Sequence, residues 1–162
     1  MIGNAVKEIL LNNQDSFLIP GEKVAHVLDT HPLNHALLVL TKVSYTKIPV
    51  LNREDEIVGL IGLSEIVNAM FDVTEIDPSN LDDLVVADVM DTDFKTLNLP
   101  FDIEYILHVL VDHPFVPVVD QAKKFSGILT RKEILKSVNQ LAHTLENEYT
   151  LEKKIAKQLK IS

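Results

Sequence analysis

Residues 45–50, YTKIPV, place three side chains of different chemistry directly before a short apolar run. The Tyr45 ring can stack on a flat base, the Thr46 hydroxyl can donate or accept a hydrogen bond, and the Lys47 ammonium can pair with a phosphate. Sixty-eight residues later, residues 113–118 have the sequence HPFVPV, which repeats the apolar run without these three groups. We therefore expect the first copy to carry the functional side chains.

A second group of polar residues is TRKE, residues 130–133. Thr130 followed by Glu133 is a capping-box pattern, which predicts the first turn of a helix. Free N–H groups at a helix N-terminus attract anions, and Arg131 and Lys132 add positive charge to that turn. A helix cap without any ligand explains the same pattern equally well. In the first copy Gly62 occupies the capping position and lacks the hydroxyl.

The two copies belong to a longer internal repeat that aligns without a gap. Residues 45–70 match residues 113–138, with a proline and a glycine at corresponding positions. Further upstream, KVAHVL at 23–28 resembles VVADVM at 85–90. Asp88 is therefore predicted to lie in the second lead-in, the extended segment at the start of the second unit. The chain is therefore predicted to contain two units of the same architecture.

Each unit is predicted to contain an extended lead-in, a helix, two short strands joined by a polar turn, and a closing helix. The strands are IPVL and IVGLI in the first unit and VPVV and FSGIL in the second, and the closing helices begin near Ser64 and Thr130. The acidic segment 72–84 contains Pro78 and is predicted to be a linker. The apolar positions of the first helices, at three- and four-residue spacing, are Leu37, Leu38, Leu40 and Val43, and then Ile103, Ile106, Leu107 and Leu110.

Composition and charge limit the classes of function. The chain has 162 residues and a net charge of −9, which disfavours DNA or RNA as a partner because a polyphosphate backbone would be repelled. The sequence has no run of ~18 consecutive apolar residues, so no membrane span is predicted. The absence of cysteine excludes disulfides and a thiolate nucleophile, and it permits a cytoplasmic location.

The β-α-β-β-α order, present twice, resembles a pair of cystathionine-β-synthase (CBS) domains, also called a Bateman module. VVADVM, the V-P-V-V strand and GILTRKE resemble the characteristic positions of that family. The resemblance implies an α+β (α/β) fold with two repeats related by pseudo-two-fold symmetry. We assign repeat 1 to residues 16–73 and repeat 2 to residues 84–140, flanked by an N-terminal helix at 1–15 and a C-terminal helical tail at 141–162.

In this family the ligand is usually an adenosine nucleotide held between the repeats. The resemblance implies that Arg131 and Lys132 reach a phosphate bound mainly in the first-repeat cleft, with Thr130 and Glu133 as a secondary ribose or phosphate site. The walls of that cleft are expected to be Lys23, Val24, Ala25, Tyr45, Thr46, Lys47, Ile48 and Pro49. The second-repeat cleft is expected to bind ligand less well, and its corresponding residues are His113, Pro114, Phe115 and Asp88.

The overall layout, with VKEILLNNQDSFLIP near the N-terminus, YTKIPVL and a charged C-terminal segment, resembles the small stand-alone CBS proteins of Gram-positive bacteria. This resemblance implies a non-enzymatic, homodimeric regulatory protein that binds one cyclic di-AMP per subunit. It also implies that the ligand-free form contacts partner enzymes, including a (p)ppGpp synthetase/hydrolase. The residues themselves leave AMP or ATP open as the ligand, and a ligand-independent dimeric scaffold open as the function. No cofactor is expected.

The sequence also bears on two other classes of function, catalysis and metal binding. His31 and His35 lie four residues apart near Asp29, a spacing that zinc ligands use on a helix. Pro32 lies between them, so the helix is expected to begin there and to leave one of the histidines off its face. No G-x-S-x-G, phosphate-binding loop or dinucleotide-binding pattern occurs. We therefore predict neither catalysis nor a bound metal.

Overall fold

The computed structural model describes residues 2–12, 16–71 and 75–148. The fold is mixed α+β with two repeats of similar architecture, as the sequence predicts. The first part contains α1 (Asn4–Asn12), β1 (Leu18–Pro20), a 3-10 turn (Gly21–Lys23), β2 (Val27–Leu28), α2 (Leu33–Leu40), β3 (Lys47–Leu51), β4 (Ile57–Gly62) and α3 (Leu63–Met70). The second part contains α4 (Asn80–Asp83), α5 (Val86–Val89), β5 (Leu97–Asn98), α6 (Ile103–Asp112), β6 (Phe115–Val119), β7 (Phe125–Thr130) and α7 (Arg131–Glu148).

The strands form two sheets, with the orders β2-β3-β4 and β1-β7-β6-β5. Although β1 lies at the start of the first repeat, it pairs antiparallel with β7 of the second, and Ile19 lies opposite Ile128. At the corresponding place in the other sheet, Asp91 pairs with Leu60 of β4. The lead-in of each repeat therefore covers the sheet edge of the other repeat, which joins the two halves through backbone hydrogen bonds.

The turn between the paired strands has the same conformation in both repeats. Asn52 Oδ1 accepts the N–H groups two and four residues later, at 3.0 and 2.9 Å. Asp120 Oδ1 accepts the matching N–H groups at 2.8 and 2.9 Å. The equivalent residues Asp55 and Lys123 both have positive φ, at 60° and 63°. The turns NREDE and DQAKK thus adopt one conformation, because Asn and Asp offer the same oxygen acceptor.

Each repeat has its own apolar core, built from the first helix and the inner residues of the sheet. Leu33, Ala36 and Leu40 of α2 are buried in the first core, and Ile103 and Ile106 of α6 are buried in the second. A third buried cluster joins the repeats and consists of Val24, Phe115 and Ile128. Since this junction is closely packed, it holds the loops above it at defined positions.

The strand pairing corrects the predicted match between KVAHVL and VVADVM. Leu60 and Ile128 are equivalent in the repeat, so their partners Asp91 and Ile19 are equivalent too. VVADVM therefore corresponds to the residues that end at Leu18, and not to residues 23–28. The two hexapeptides share an apolar spacing, but similar spacing does not determine which strand a segment pairs with.

A further consequence is that the predicted position of Asp88 in the second lead-in is wrong. Val27 pairs with Val50 and Leu97 pairs with Val118, so Val27 and Leu97 are equivalent. The second-repeat counterparts of residues 23–25 are therefore residues 93–95. Asp88 lies in α5 instead, where its carboxylate accepts the N–H of Val85 at 2.9 Å.

The first helix of repeat 1 is shorter than predicted, because α2 ends at Leu40 and does not include Val43. The Thr41 hydroxyl donates to the Leu38 carbonyl at 2.7 Å, and the Lys42 N–H donates to the Val39 carbonyl at 3.0 Å. These short-range bonds tighten the last turn and end the helix.

One flanking segment also differs from the prediction. The segment predicted as a linker contains α4, and Leu81 of this helix is buried in the first core because α4 packs against both α2 and α3. Helix α7 continues without a break through residues 141–148, the first part of the predicted helical tail. Residues 1, 13–15, 72–74 and 149–162 of the predicted segments lie outside the described residues.

Candidate functional site

A cavity of about 780 Å³, which we call cleft A, lies between the loop before β3 and the N-terminal part of α7. It brings Tyr45 and Thr46 of the first repeat together with residues 130–133 of the second, a juxtaposition that the sequence predicts from the pseudo-two-fold symmetry. Its lining residues are Ile19, Ser44, Tyr45, Thr46, Pro114, Phe115, Thr130, Arg131, Lys132, Glu133, Leu135, Lys136 and Asn139.

One side of cleft A is aromatic and apolar. The rings of Tyr45 and Phe115 meet edge to face, with centroids 6.4 Å apart and an interplanar angle of 65°. Val24 and Ile128 are buried beneath these rings, and Ile19 packs against the same cluster. Rings held in this way offer a preformed apolar surface for a nucleobase.

The other side of cleft A is the first two turns of α7, which are polar and cationic. Thr130 Oγ1 accepts the Glu133 N–H at 3.1 Å and so caps the helix. The Glu133 carboxylate pairs with Lys136 at 2.7 Å. Lys132 and Lys136 lie four residues apart and both line the cavity, so they share one face of the helix. The helix N-terminus and these ammonium groups make this side attractive to phosphate.

The guanidinium of Arg131 caps the C-terminal end of α6. Its Nε donates to the Leu110 carbonyl at 2.7 Å, and its Nη2 donates to the Val111 carbonyl at 3.0 Å. A cation at this end of a helix is stabilised by the helix dipole. Arg131 lines cleft A and also a groove of about 270 Å³ formed by α6 and α7. Arg131 thus stands between the two cavities, and its guanidinium has N–H groups that these two carbonyls do not use.

Several residues predicted as cleft walls lie elsewhere. Ile48 and Pro49 are buried in β3, where strand pairing and the first core enclose them. Val24 is buried in the junction below Tyr45. Lys23 and Ala25 are in and just after the 3-10 turn, and Lys23 is exposed. These residues support or flank cleft A in this structure and do not line it.

Lys47 does not line cleft A. It lines a second cavity of about 310 Å³ on the other side of Thr46, which we call cleft B. Thr46, Pro114 and Phe115 line both cavities and form the wall between them. The polar residues that line cleft B alone are Lys47, Ser64, Asp91, Asp93, Lys95 and His113. By the internal repeat, cleft B is the counterpart of cleft A.

The ammonium of Lys47 is held by two carboxylates, at 2.8 Å from Glu65 Oε1 and 2.8 Å from Asp91 Oδ2. Partial burial acts to lower the pKa of Lys47, but these two hydrogen bonds outweigh it and raise the pKa above its usual value. Burial likewise acts to raise the pKa of Glu65, but the hydrogen bond from Lys47 holds that pKa below its usual value. The same kind of bond lowers the pKa of Asp91.

The sequence interpretation missed polar residues on the second turn of α7 and in the second lead-in. Lys136 and Asn139 line cleft A, and Lys136 was detectable because it follows Lys132 by one helical turn. Asp91 and Asp93 line cleft B, and they were missed because the lead-in was placed at the wrong residues.

The histidines considered as metal ligands have other roles. His31 Nδ1 accepts the Leu28 N–H at 3.1 Å, and the rings of His31 and His35 meet edge to face at 4.5 Å. Within the described ranges, no three His, Asp or Glu side chains converge to form a metal-binding group. None of the helices described here is both long and apolar enough to cross a membrane.

Comparison with known proteins gives concordant results. The CBS domain model matches residues 17–72 and 86–140. The chain is 37% identical over 145 residues to the cyclic di-AMP receptor B of Bacillus subtilis (strain 168). This match covers 90% of this chain and 99% of that protein. The structure of CbpB from Streptococcus agalactiae has a TM-score of 0.84 at 33% identity, over 94% of this chain and 96% of that chain.

A structure of CbpB from Listeria monocytogenes in complex with c-di-AMP is also similar. Its TM-score is 0.76 at 47% identity, over 82% of this chain and 98% of that chain. The family model alone spans well over half of the residues. The chain therefore belongs to the CBS-domain family and carries two copies of the domain.

Proposed function

We propose that this chain is a non-enzymatic regulatory protein that binds an adenine-nucleotide second messenger, cyclic di-AMP, in cleft A. The observation that carries the proposal is one cavity of about 780 Å³ with an aromatic floor on one side and a cationic helix N-terminus on the other. A ligand with two purines and two phosphates requires both kinds of surface. The names of the relatives from B. subtilis and L. monocytogenes support this choice of ligand.

The chemistry of the lining residues suggests the role of each. The Tyr45 and Phe115 rings pack against adenine, and the Thr46 hydroxyl forms a hydrogen bond with the base or the ribose. Lys132 and Lys136 pair with phosphate next to the free N–H groups of α7. Arg131 joins them through the N–H groups that the Leu110 and Val111 carbonyls do not use.

Calorimetric titration with cyclic di-AMP, AMP and ATP tests this assignment. We expect cyclic di-AMP to bind most tightly, because two linked nucleotides contact both sides of the cleft. Lys132→Ala is expected to weaken binding about tenfold or more, since a hydrogen bond to a charged group contributes about 1.5–3 kcal/mol. Tyr45→Ala is expected to weaken it as well. Lys124→Ala is a matched control, because Lys124 lines neither cleft.

Three results would contradict the assignment. The first is unchanged cyclic di-AMP affinity in both the Lys132 and Tyr45 variants, which would move the ligand out of cleft A. The second is tighter binding of AMP or ATP than of cyclic di-AMP, which would favour an energy-sensing role. The third is absence of binding by all three nucleotides, which would favour a ligand-independent scaffold.

The second part of the proposal is that occupation of cleft A switches contact between a homodimer of this chain and a partner enzyme. The family resemblance suggests a (p)ppGpp synthetase/hydrolase. A partner that binds only the empty form loses about 2.7 kcal/mol, roughly a hundredfold in affinity, when the ligand is at 100 times its Kd. Arg131 offers a physical connection, because it lines both cleft A and the groove between α6 and α7.

Binding of a purified (p)ppGpp synthetase to immobilised protein, with and without cyclic di-AMP, tests the switch. We expect binding to the ligand-free protein and its loss at saturating messenger. Equal binding in both conditions would refute the switch while leaving the ligand assignment intact. Sedimentation equilibrium of the ligand-free protein tests the homodimer.

A further inference from the structure

Clefts A and B are related by the internal repeat, yet at two equivalent positions one cleft has charged side chains and the other has apolar ones. Lys47 and Phe115 are equivalent, because each is the first residue of its central strand and pairs with the last residue of the next strand. Asp91 and Ile19 are equivalent through their partners on β4 and β7. Cleft A therefore has two apolar residues in contact where cleft B has an ion pair at 2.8 Å.

The ion pair is part of a group of three charges that the backbone holds in place. Glu65 Oε2 accepts the Gly62 N–H at 2.9 Å while Oε1 pairs with Lys47. Asp91 Oδ1 accepts the Asp93 N–H at 3.0 Å while Oδ2 pairs with Lys47. Each carboxylate therefore uses one oxygen for the backbone and one for the ammonium. We call Lys47, Glu65 and Asp91 the charge triad.

We propose that the charge triad closes cleft B to nucleotides, so that of the two clefts only cleft A binds one. This inference rests on the proposed function of cleft A. A phosphate that enters cleft B meets an ammonium whose charge is already offset by two carboxylates, and both carboxylates repel the phosphate. Asp93 and Lys95, which also line cleft B, have opposite charges and offset each other.

Size acts in the same direction as charge. Cleft B has a volume of about 310 Å³ and cleft A about 780 Å³. The smaller value is at the lower limit for small-molecule sites, so cleft B has room for a mononucleotide at most. AMP is accordingly the right probe for cleft B, while cyclic di-AMP occupies cleft A.

The test is to neutralise the two carboxylates without changing their shape. In Glu65→Gln/Asp91→Asn, the amide oxygens can still accept the N–H groups of Gly62 and Asp93, and the Lys47 ammonium is released from both charges. Each protein is first saturated with cyclic di-AMP and then titrated with AMP in a calorimeter. We expect no further binding by the wild-type chain and one AMP per chain in the double variant.

Added substitutions identify the cause of the gained site. Lys47→Met in the double-variant background is expected to abolish AMP binding, because the released ammonium is the phosphate ligand. Glu22→Gln/Glu54→Gln removes the same number of negative charges from residues that line neither cleft, and it is expected to gain no AMP site. A gain in this control would show that overall charge, and not the charge triad, excludes AMP, and would overturn the proposal.

Two other outcomes would overturn it. One is AMP binding by the wild-type chain saturated with cyclic di-AMP. The other is no AMP binding by the double variant when cyclic di-AMP still binds and so reports a folded cleft A. Failure of the wild-type chain to bind cyclic di-AMP is a separate result, which would remove the proposed function and this inference with it.

Discussion

Replacing Lys47 by methionine is expected to destabilise the fold at neutral pH and to leave it almost unaffected in acid. Methionine keeps most of the aliphatic stem and removes the ammonium that lies 2.8 Å from both Glu65 and Asp91. Glu65 and Asp91 then face each other's charge with no cation between them. Because Lys47 is on β3 and Asp91 is in the second lead-in, the lost contacts include one between the two repeats.

The expected magnitude follows from how far the charge triad is exposed. The side chains of Lys47, Glu65 and Asp91 are 30%, 17% and 31% exposed. Exposed ion pairs contribute about 0–1 kcal/mol, and breaking a fully buried pair costs about 3–5 kcal/mol. For a partly buried triad we expect a loss of about 1–2 kcal/mol, which corresponds to a decrease in Tm of roughly 2–8 °C in a chain of this size.

The pH dependence of this loss follows from the direction of each pKa shift. The pKa values of Glu65 and Asp91 are lowered, so their contribution is complete above their unfolded pKa values of about 4 and is lost as pH falls through the folded values. The pKa of Lys47 is raised, so its contribution persists until pH rises through its folded pKa. The wild-type and variant curves should therefore run parallel from about pH 6 to 9 and converge below about pH 4.

Thermal unfolding of both proteins from pH 3 to pH 9 measures these curves. Lys136→Met is the matched control, since Lys136 is 60% exposed and pairs with Glu133 within one helix. Its loss is expected to be below about 0.5 kcal/mol. A difference between wild type and Lys47→Met that is as large at pH 3 as at pH 7 would refute the electrostatic reasoning and assign the loss to packing.

Local geometry predicts the effect of substitutions at three other positions. Gly127→Ala is expected to cost more than about 3 kcal/mol in chemical denaturation, because φ is 155° and an added Cβ would lie 2.1 Å from the Ile19 carbonyl oxygen. Thr130→Ala is expected to lower the free energy of unfolding by about 1 kcal/mol through loss of the α7 cap, and Thr130→Ser to restore it in the same thermal melts. Burial and the neighbouring histidines lower the pKa of His31, whose Nδ1 accepts the Leu28 N–H. The contribution of neutral His31 to stability is therefore complete above about pH 6.5, and it is lost as pH falls through the folded pKa. His31→Asn, which keeps an acceptor without titrating, is therefore expected to flatten the dependence of Tm on pH between about 5 and 7.

The repeated units were predictable because their information is local. The apolar spacing of α2 and α6, the I/V-P-V strands and the polar turns all lie within short windows of the sequence. The turns NREDE and DQAKK share few letters, yet Asn52 and Asp120 place the same acceptor at the same position. Aligning the copies without a gap therefore recovers the order of the elements.

The site predictions that the structure revises concern partners that are distant in sequence. Lys47 was predicted to face a ligand because the second copy has no lysine at the corresponding position. Asp91, which pairs with Lys47, is 44 residues away. Arg131 was predicted to reach a phosphate, and the structure adds two bonds to carbonyls of α6 that lie 21 and 20 residues earlier. A local pattern shows which charges are present and not which of them meet.

The sequence by itself determined that the chain contains two β-α-β-β-α units and that their symmetry is broken at YTK and TRKE, because periodicity and capping are short-range properties of the chain. The tertiary structure alone decided that each lead-in pairs with the sheet of the other repeat, which brings Asp91 to Lys47 and Ile19 to Phe115. Two clefts built from equivalent positions thereby differ in charge, since one is lined by an apolar contact and the other by an ion pair.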